Sequence, residues 1–275
     1  MASSSIVKTL KYGVIYFYAA LTLGLFGWIV LISLKDNRDI FANPLGWPKR
    51  FQLDNYLNAW NGANISTYFW NSLLVMVASV GLTVLFAATV AYAVSRFQFR
   101  GNALLYLVFL LGLSIPLQSL MLPTFLKMDS LGLRDNLLSL IVVYSAFALP
   151  KSVFLLVGFM RGIPKDLEEA GIVDGCGYFG IFSKIILPVS MPGIATVAIL
   201  EAIGAWNEYV YATVLISTEH LRTLPLGLAN FRGEYMSQYG LIAAGTVITM
   251  IPVVAVYVLF QEQIVKGLVA GSVKG

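Results

Sequence analysis

Apolar residues along this chain come in runs of about twenty, separated by short polar breaks. A helix that crosses the hydrocarbon of a bilayer needs about 20 such residues, and six runs of that length occur. The pattern therefore predicts an all-α polytopic transmembrane bundle with helices near 12–34, 70–94, 103–126, 137–160, 191–216 and 239–260. Spans and connectors use up the chain, which leaves a single membrane domain over 1–275, a loop at 161–188 and a tail at 261–275.

Composition strengthens this reading. Of the residues, 58% are hydrophobic and 12% charged, with a mean hydropathy of +0.80. About a quarter of a soluble domain is charged, so water could not wet this surface all round. The first run follows Lys8 and Lys11, as a secretory signal would. Its apolar stretch exceeds a signal core and no clean small-x-small site follows, so it is read as a retained helix. The net charge of +4 and pI near 9.1 fit contact with lipid headgroups, and no nucleic-acid partner is expected. Cys176 is the only cysteine, so no internal disulfide can form.

An even number of spans puts both termini on one side. Lys151 lies inside a span, and the rest of the 18 Lys and Arg residues divide nine to eight between the two sides, nine on the side of the termini. That split decides nothing. Counting short loops only, as the positive-inside rule requires, tips the balance toward a cytoplasmic N-terminus. Pro116 and Pro123 fall in the third predicted span, Pro150 in the fourth and Pro252 in the sixth. Proline removes a backbone donor, so each marks either a kink that serves packing or a break lining a water-filled cavity.

The 161–188 loop is unusual. Pro164 suits a first helical position, and Asp166, Glu168 and Glu169 suit the positive end of a helix dipole. Gly175 and Gly177 then end or bend the helix. A short surface helix results, with Leu167, Ala170 and Gly171 expected on a face that docks into a partner's groove. Within this loop Glu169-Ala170-Gly171, three residues, Gly175, nine residues and then Ile185-x-Leu187-Pro188 resemble the Glu-Ala-Ala loop of ABC-importer permeases. Gly171 stands where that motif has a second alanine. Asn71-Ser72, Ala91-Tyr92-Ala93 with Arg96-Phe97, and Trp206-Asn207-Glu208 resemble the carbohydrate-uptake branch, and the tail Gly267 to Gly275 resembles the ending of its MalG-like subunit.

The resemblance implies a type I importer permease fold, both termini cytoplasmic, in a bacterial inner or plasma membrane. It implies binding-protein-dependent uptake of sugars, with oligosaccharides the expected class. The implied partners are a second, MalF-like permease, two ATP-binding subunits and an extracytoplasmic solute-binding protein. Glu169, Ala170, Gly171, Asp174, Gly175, Leu187 and Pro188 would carry contact with the ATPases, joined by Gly271, Lys274 and Gly275 of the tail. No Gly-Lys dipeptide occurs, so a Walker A phosphate loop is absent and ATP must be hydrolysed by a separate subunit. No metal or cofactor is expected.

Charges inside spans are costly and mark functional candidates. Counting from the inner span ends at about 1.5 Å per residue puts Lys151 and Glu201 at similar depth, near mid-membrane. They are read as an intramembrane ion pair, with direct contact to solute the alternative. Gln118, Tyr144, Trp206, Asn207 and Glu208 offer the aromatic, amide and carboxylate groups of a sugar path, or else serve packing and anchoring at the interface. The connector bearing Trp47, Arg50, Tyr56 and Trp60 either meets a binding protein or covers helix ends. An ion-coupled secondary transporter is the competing class. An intramembrane enzyme is disfavoured, because His220 is the only histidine and no catalytic arrangement can form around it. A purely structural anchor would not require buried Lys151 and Glu201.

Overall fold

The computed structural model describes the backbone of residues 2–234 and 238–272, with side chains at position 8 and over 10–229 and 238–262. Every regular element among the described residues is helical. The principal helices are α1 (Ala2–Ser33), α2 (Ile65–Arg96), α3 (Asn102–Gly112), α4 (Met121–Ser130), α5 (Leu137–Arg161), α6 (Asp166–Val173), α7 (Met191–Asn207), α8 (Val210–Leu215) and α9 (Tyr239–Ser272).

Four helices, α1, α2, α5 and α9, are long and apolar enough to cross a membrane. Two bent pairs bring the number to six if each counts as one span: α3 with Leu117–Ser130 at 96°, and Tyr178–Val189 with α7 at 72°. The third predicted span, 103–126, is thus broken, so that of the two outcomes open for Pro116 the structure has the break and not a packing kink. Pro116 is extended, with ψ 119°, because proline supplies no N–H and pushes its predecessor out of the helical region. The predicted 191–216 span is interrupted too, at an extended Glu208 with ψ 128°. By contrast, Pro150 and Pro252 both sit inside continuous helices.

The chain forms two compact units. The first, Met1–Ser66 with Gly227–Pro252, is organised by the connector after α1. There Lys35 is fully buried and donates from Nζ to the Asn43 carbonyl at 2.8 Å. Asn55 Nδ2 donates to the carbonyls of Ser33 at 2.9 Å and Lys35 at 3.0 Å. The first turn of α9 closes on this loop at Gly240, where a Cβ would stand 2.4 Å from the Lys35 carbonyl oxygen. Of the connector aromatics, Trp47 and Arg50 are exposed, Trp60 is half-buried, and Tyr56 shares a 2.6 Å hydrogen bond with Ser33 Oγ.

In the second unit, Thr67–Leu226 with Val253–Gly275, one core joins Ala87, Ala88 and Ala91 of α2 to Val153, Leu156 and Met160 of α5. Small residues let spanning helices close on one another where lipid offers no hydrophobic drive. Glycines of α7 and α3 do the same against α5. A Cβ at Gly193 would lie 2.7 Å from the Phe159 ring, and one at Gly112 2.9 Å from the Pro150 ring.

A second core packs Leu140, Val143 and Tyr144 of α5 against Tyr211, Ala212 and Leu215 of α8. At this end Asn71 Nδ2 donates to the carbonyls of His220 and Arg222, and Ser72 Oγ accepts the Leu224 amide at 2.8 Å. Asn71-Ser72 therefore secures the connector after α8. Asp135 braces its other end, accepting the amides of Ser217 and Thr218 at 2.9 Å each and the Thr218 hydroxyl. These donors hold the Asp135 carboxyl below its ordinary value, the Thr218 hydroxyl contributing most.

Candidate functional site

The breaks at Pro116 and Glu208 open a cavity of about 390 Å³ among α2, α3, α5, α7 and α8, where Thr83, Gln118, Tyr144, Lys151, Glu201 and Glu208 line its wall. Lys151 Nζ lies 2.9 Å from Glu201 Oε1, the lysine side chain half exposed and the glutamate side chain 10% exposed. Ser152 Oγ donates to the same oxygen at 3.3 Å. The structure thus brings together, on the cavity wall, the two charges that residue counting sets at one depth. Glu201 is satisfied from two sides, while the ammonium keeps an open face toward the cavity.

Glu208 serves the backbone. Its Oε1 accepts the Tyr211 amide at 2.8 Å, and its Oε2 accepts the Ala212 amide at 3.2 Å together with the Tyr144 hydroxyl. The first amides of a helix have no intrahelical acceptor, and a carboxylate placed there satisfies them and opposes the helix dipole. The Glu208 carboxylate therefore allows α8 to start again after a gap of two residues, Glu208 and Tyr209, beyond the end of α7. Tyr211 in turn donates its hydroxyl to the Leu117 carbonyl at 2.6 Å, which ties one broken span to the other. Of the five residues expected on a solute path, Gln118, Tyr144 and Glu208 line the cavity. Trp206 does not: it is 2% exposed and meets Phe69 edge-on at 5.4 Å. Asn207 is exposed away from it, and its amide returns to the Ile203 carbonyl at 2.8 Å. Helical phase turns both aside. Thr83 and Tyr211 are wall residues that hydropathy could not single out.

The 161–188 segment forms a second feature. Helix α6 starts at Asp166, slightly after Pro164, and carries Asp166, Glu168 and Glu169 in its first turn. It ends in a Schellman motif: the Cys176 amide donates to the Gly171 carbonyl at 2.9 Å and the Gly175 amide to the Ile172 carbonyl at 3.0 Å. Gly175 adopts φ +77° with open space around it, so backbone conformation, which only glycine adopts freely, fixes its identity. Neighbouring acids on a helix point about 100° apart, and the two glutamates diverge accordingly. Glu169 is exposed. Glu168 turns inward to Arg96 at the end of α2, its Oε1 2.6 Å from Nε, with side chains 17% and 4% exposed. Arg96 also donates Nη2 to the Ile163 carbonyl at 3.0 Å.

Gly171 corrects the expected docking face. It is buried, and a Cβ there would fall 2.6 Å from Ile185 Cδ1. Its smallness serves this internal contact, so the two halves of the loop motif clasp each other. Leu187 packs half-buried against the core, while Pro188 is exposed. Glu169, Ala170 and Asp174 face outward beside Val173, Tyr178 and Phe179, which are 87%, 69% and 80% exposed. In the tail, Gly271 falls near the end of α9. Lys274 and Gly275 lie outside the described residues.

A multi-pass helical bundle with broken spans around a largely apolar cavity that carries a few charged and polar groups, and a clasped surface helix at the span ends, is an architecture that suits a membrane component of a transport system. The chain belongs to the family of binding-protein-dependent transport system inner membrane components, whose profile matches residues 79–269. It is 36% identical over 247 residues to the diacetylchitobiose uptake system permease protein NgcG of Streptomyces coelicolor, covering 89% of this chain and 82% of that one. It is 33% identical over 269 residues to the multiple sugar-binding transport system permease protein MsmG of Streptococcus mutans, covering 94% and 96%. In fold it is similar to a chain of a bacterial ABC transporter that imports the acidic polysaccharide alginate, with TM-score 0.84, 24% identity and coverage of 95% and 98%. The protein is thus an ABC-importer permease subunit, and the ion-coupled alternative finds no support.

Proposed function

We propose that this chain is one of two permease subunits of an oligosaccharide importer, that its cavity forms one side of the solute path, and that an ATP-binding subunit docks on α6 and the turn after it. One observation carries the reading. Helix α6 is anchored inward by Arg96–Glu168 and Gly171–Ile185, while its outer side presents bare apolar residues. Such a helix passes force from a partner into α2 and α5 as a rigid body. Mechanical transmission requires a contact that differs between the two states of the machine, and ATP-driven closure of a docked partner supplies one. The sugar assignment is supported by the diacetylchitobiose and multiple-sugar permeases among the relatives. Both termini lie with α6 on the cytoplasmic side, and the connectors after α1 and α8 face a solute-binding protein.

The test compares Glu169→Lys and Gly175→Leu in the co-purified transporter. Both variants insert in the membrane and retain the second permease, but lose the ATP-binding subunit or the hydrolysis stimulated by loaded binding protein. Uptake of labelled chitooligosaccharides or maltooligosaccharides at the normal rate by both variants would sink the docking assignment.

A further inference from the structure

We propose that the groove between the α2–α3 turn and the last turn of α5 binds the phosphate headgroup of an anionic phospholipid. The proposal rests on the chain's membrane fold and stands apart from the docking role of α6. The groove is open, about 940 Å³, and Gln98, Arg100, Asn102, Leu104, Tyr106 and Arg161 are among its wall residues. Three arginines lie at this end of the bundle. Arg96 is ion-paired with Glu168, whereas Arg100 and Arg161 take part in no ion pair among the described residues.

The groove is also preorganised. Asn102 Nδ2 donates to the carbonyls of Val94 and Phe97, which pins the turn that carries Arg100. Gly101 completes that turn at φ +96°. On the opposite wall the Arg161 guanidinium lies 5.1 Å from the centroid of the Tyr106 ring, a cation–π contact that orients it while leaving its N–H donors free. Guanidinium groups present a planar fork that matches phosphate oxygens.

The occupant follows from what adjoins the charges. Phe99, Leu104, Leu107 and Val108, 45 to 65% exposed, continue the groove onto the apolar face of α3. A molecule with one phosphate and two acyl chains matches both parts, and basic pockets at the ends of spanning helices bind such headgroups. A free phosphate would use the arginines alone.

The full transporter, reconstituted in nanodiscs of mixed phosphatidylglycerol and phosphatidylcholine, is assayed for lipid retained after detergent exchange. Phosphatidylglycerol is expected to be enriched, with about 5-fold loss for Arg100→Gln or Arg161→Gln and roughly 30-fold for both. The Arg100→Lys, Arg161→Lys double variant keeps the charge but loses the planar fork, so it retains enrichment intermediate between the parent and the double Gln variant, which separates loss of charge from loss of fold. Unchanged enrichment in the double Gln variant would overturn the site. Displacement of the lipid by millimolar inorganic phosphate would show a simple anion pocket and overturn the lipid assignment. So would burial of the groove beneath a partner subunit.

Discussion

Consider replacing Glu168 by glutamine. The shape of α6 is retained, but Arg96, with only 4% of its side chain exposed, loses its counter-charge. Opposite unit charges 4 Å apart attract by about 4 kcal/mol at the effective dielectric of a protein, and removing one partner of a buried pair costs about 3–5 kcal/mol. Glu168 is 17% exposed, which points to the lower end, about 3 kcal/mol. That is roughly a hundredfold rise in the population with α6 detached. Hydrogen exchange of the reconstituted permease reads it directly: amides of α6 exchange about 100-fold faster, while those of α5 do not change. Solute uptake falls in parallel. Replacing both partners, Arg96→Leu with Glu168→Leu, restores much of the protection, because no unpaired charge is left buried. The reasoning fails if Glu168→Gln exchanges like the parent, or if the two single losses simply add in the double variant.

Other consequences can be measured as simply. Gly175→Ala holds a Cβ at φ +77° and costs about 1–2 kcal/mol, seen as fraying of α6, whereas Gly175→Asn fares better because asparagine tolerates that conformation. Tyr144→Phe removes one of the three donors to Glu208 and lowers thermal stability by about 1–3 kcal/mol, with α8 amides the first to lose protection. Neutralising Lys151 or Glu201 alone harms uptake more than neutralising both, since a lone charge is left at the cavity wall; additive losses would speak against the pair. The donors of the Asp135 brace lower the pKa of its carboxyl, so its stabilisation is complete above the ordinary value of 3.8 and is lost as pH falls through the lowered one. Proteolysis of the 216–223 connector should stay slow at pH values above 3.8 and rise only once the pH has fallen below it.

Hydropathy alone carried the long spans, because a lipid-facing helix must be apolar along its whole length. The break at Pro116 had a visible cause, whereas the one at Glu208 had none: neither proline nor glycine marks it, and the carboxylate that caps α8 looks like a solute contact until its donors are in view. Lys151 and Glu201 could be set at one depth by counting residues. Counting cannot tell which side of a helix meets a cavity, and so Trp206 and Asn207 stood level with Glu208 in the sequence. The inward turn of Glu168 was within reach, since adjacent acids cannot share a face. Its partner Arg96 was not, being 72 residues earlier in the chain.

The clasp between Gly171 and Ile185 also restricts how this loop can diverge. A methyl at 171 would fall on the far end of the Ile185 side chain, so an alanine there is accommodated only when that Cδ1 swings into another rotamer and the clasp repacks around it. A change at 171 is thus felt fourteen residues on, across a glycine turn, whereas the outward residues between the two positions can be exchanged without disturbing the clasp.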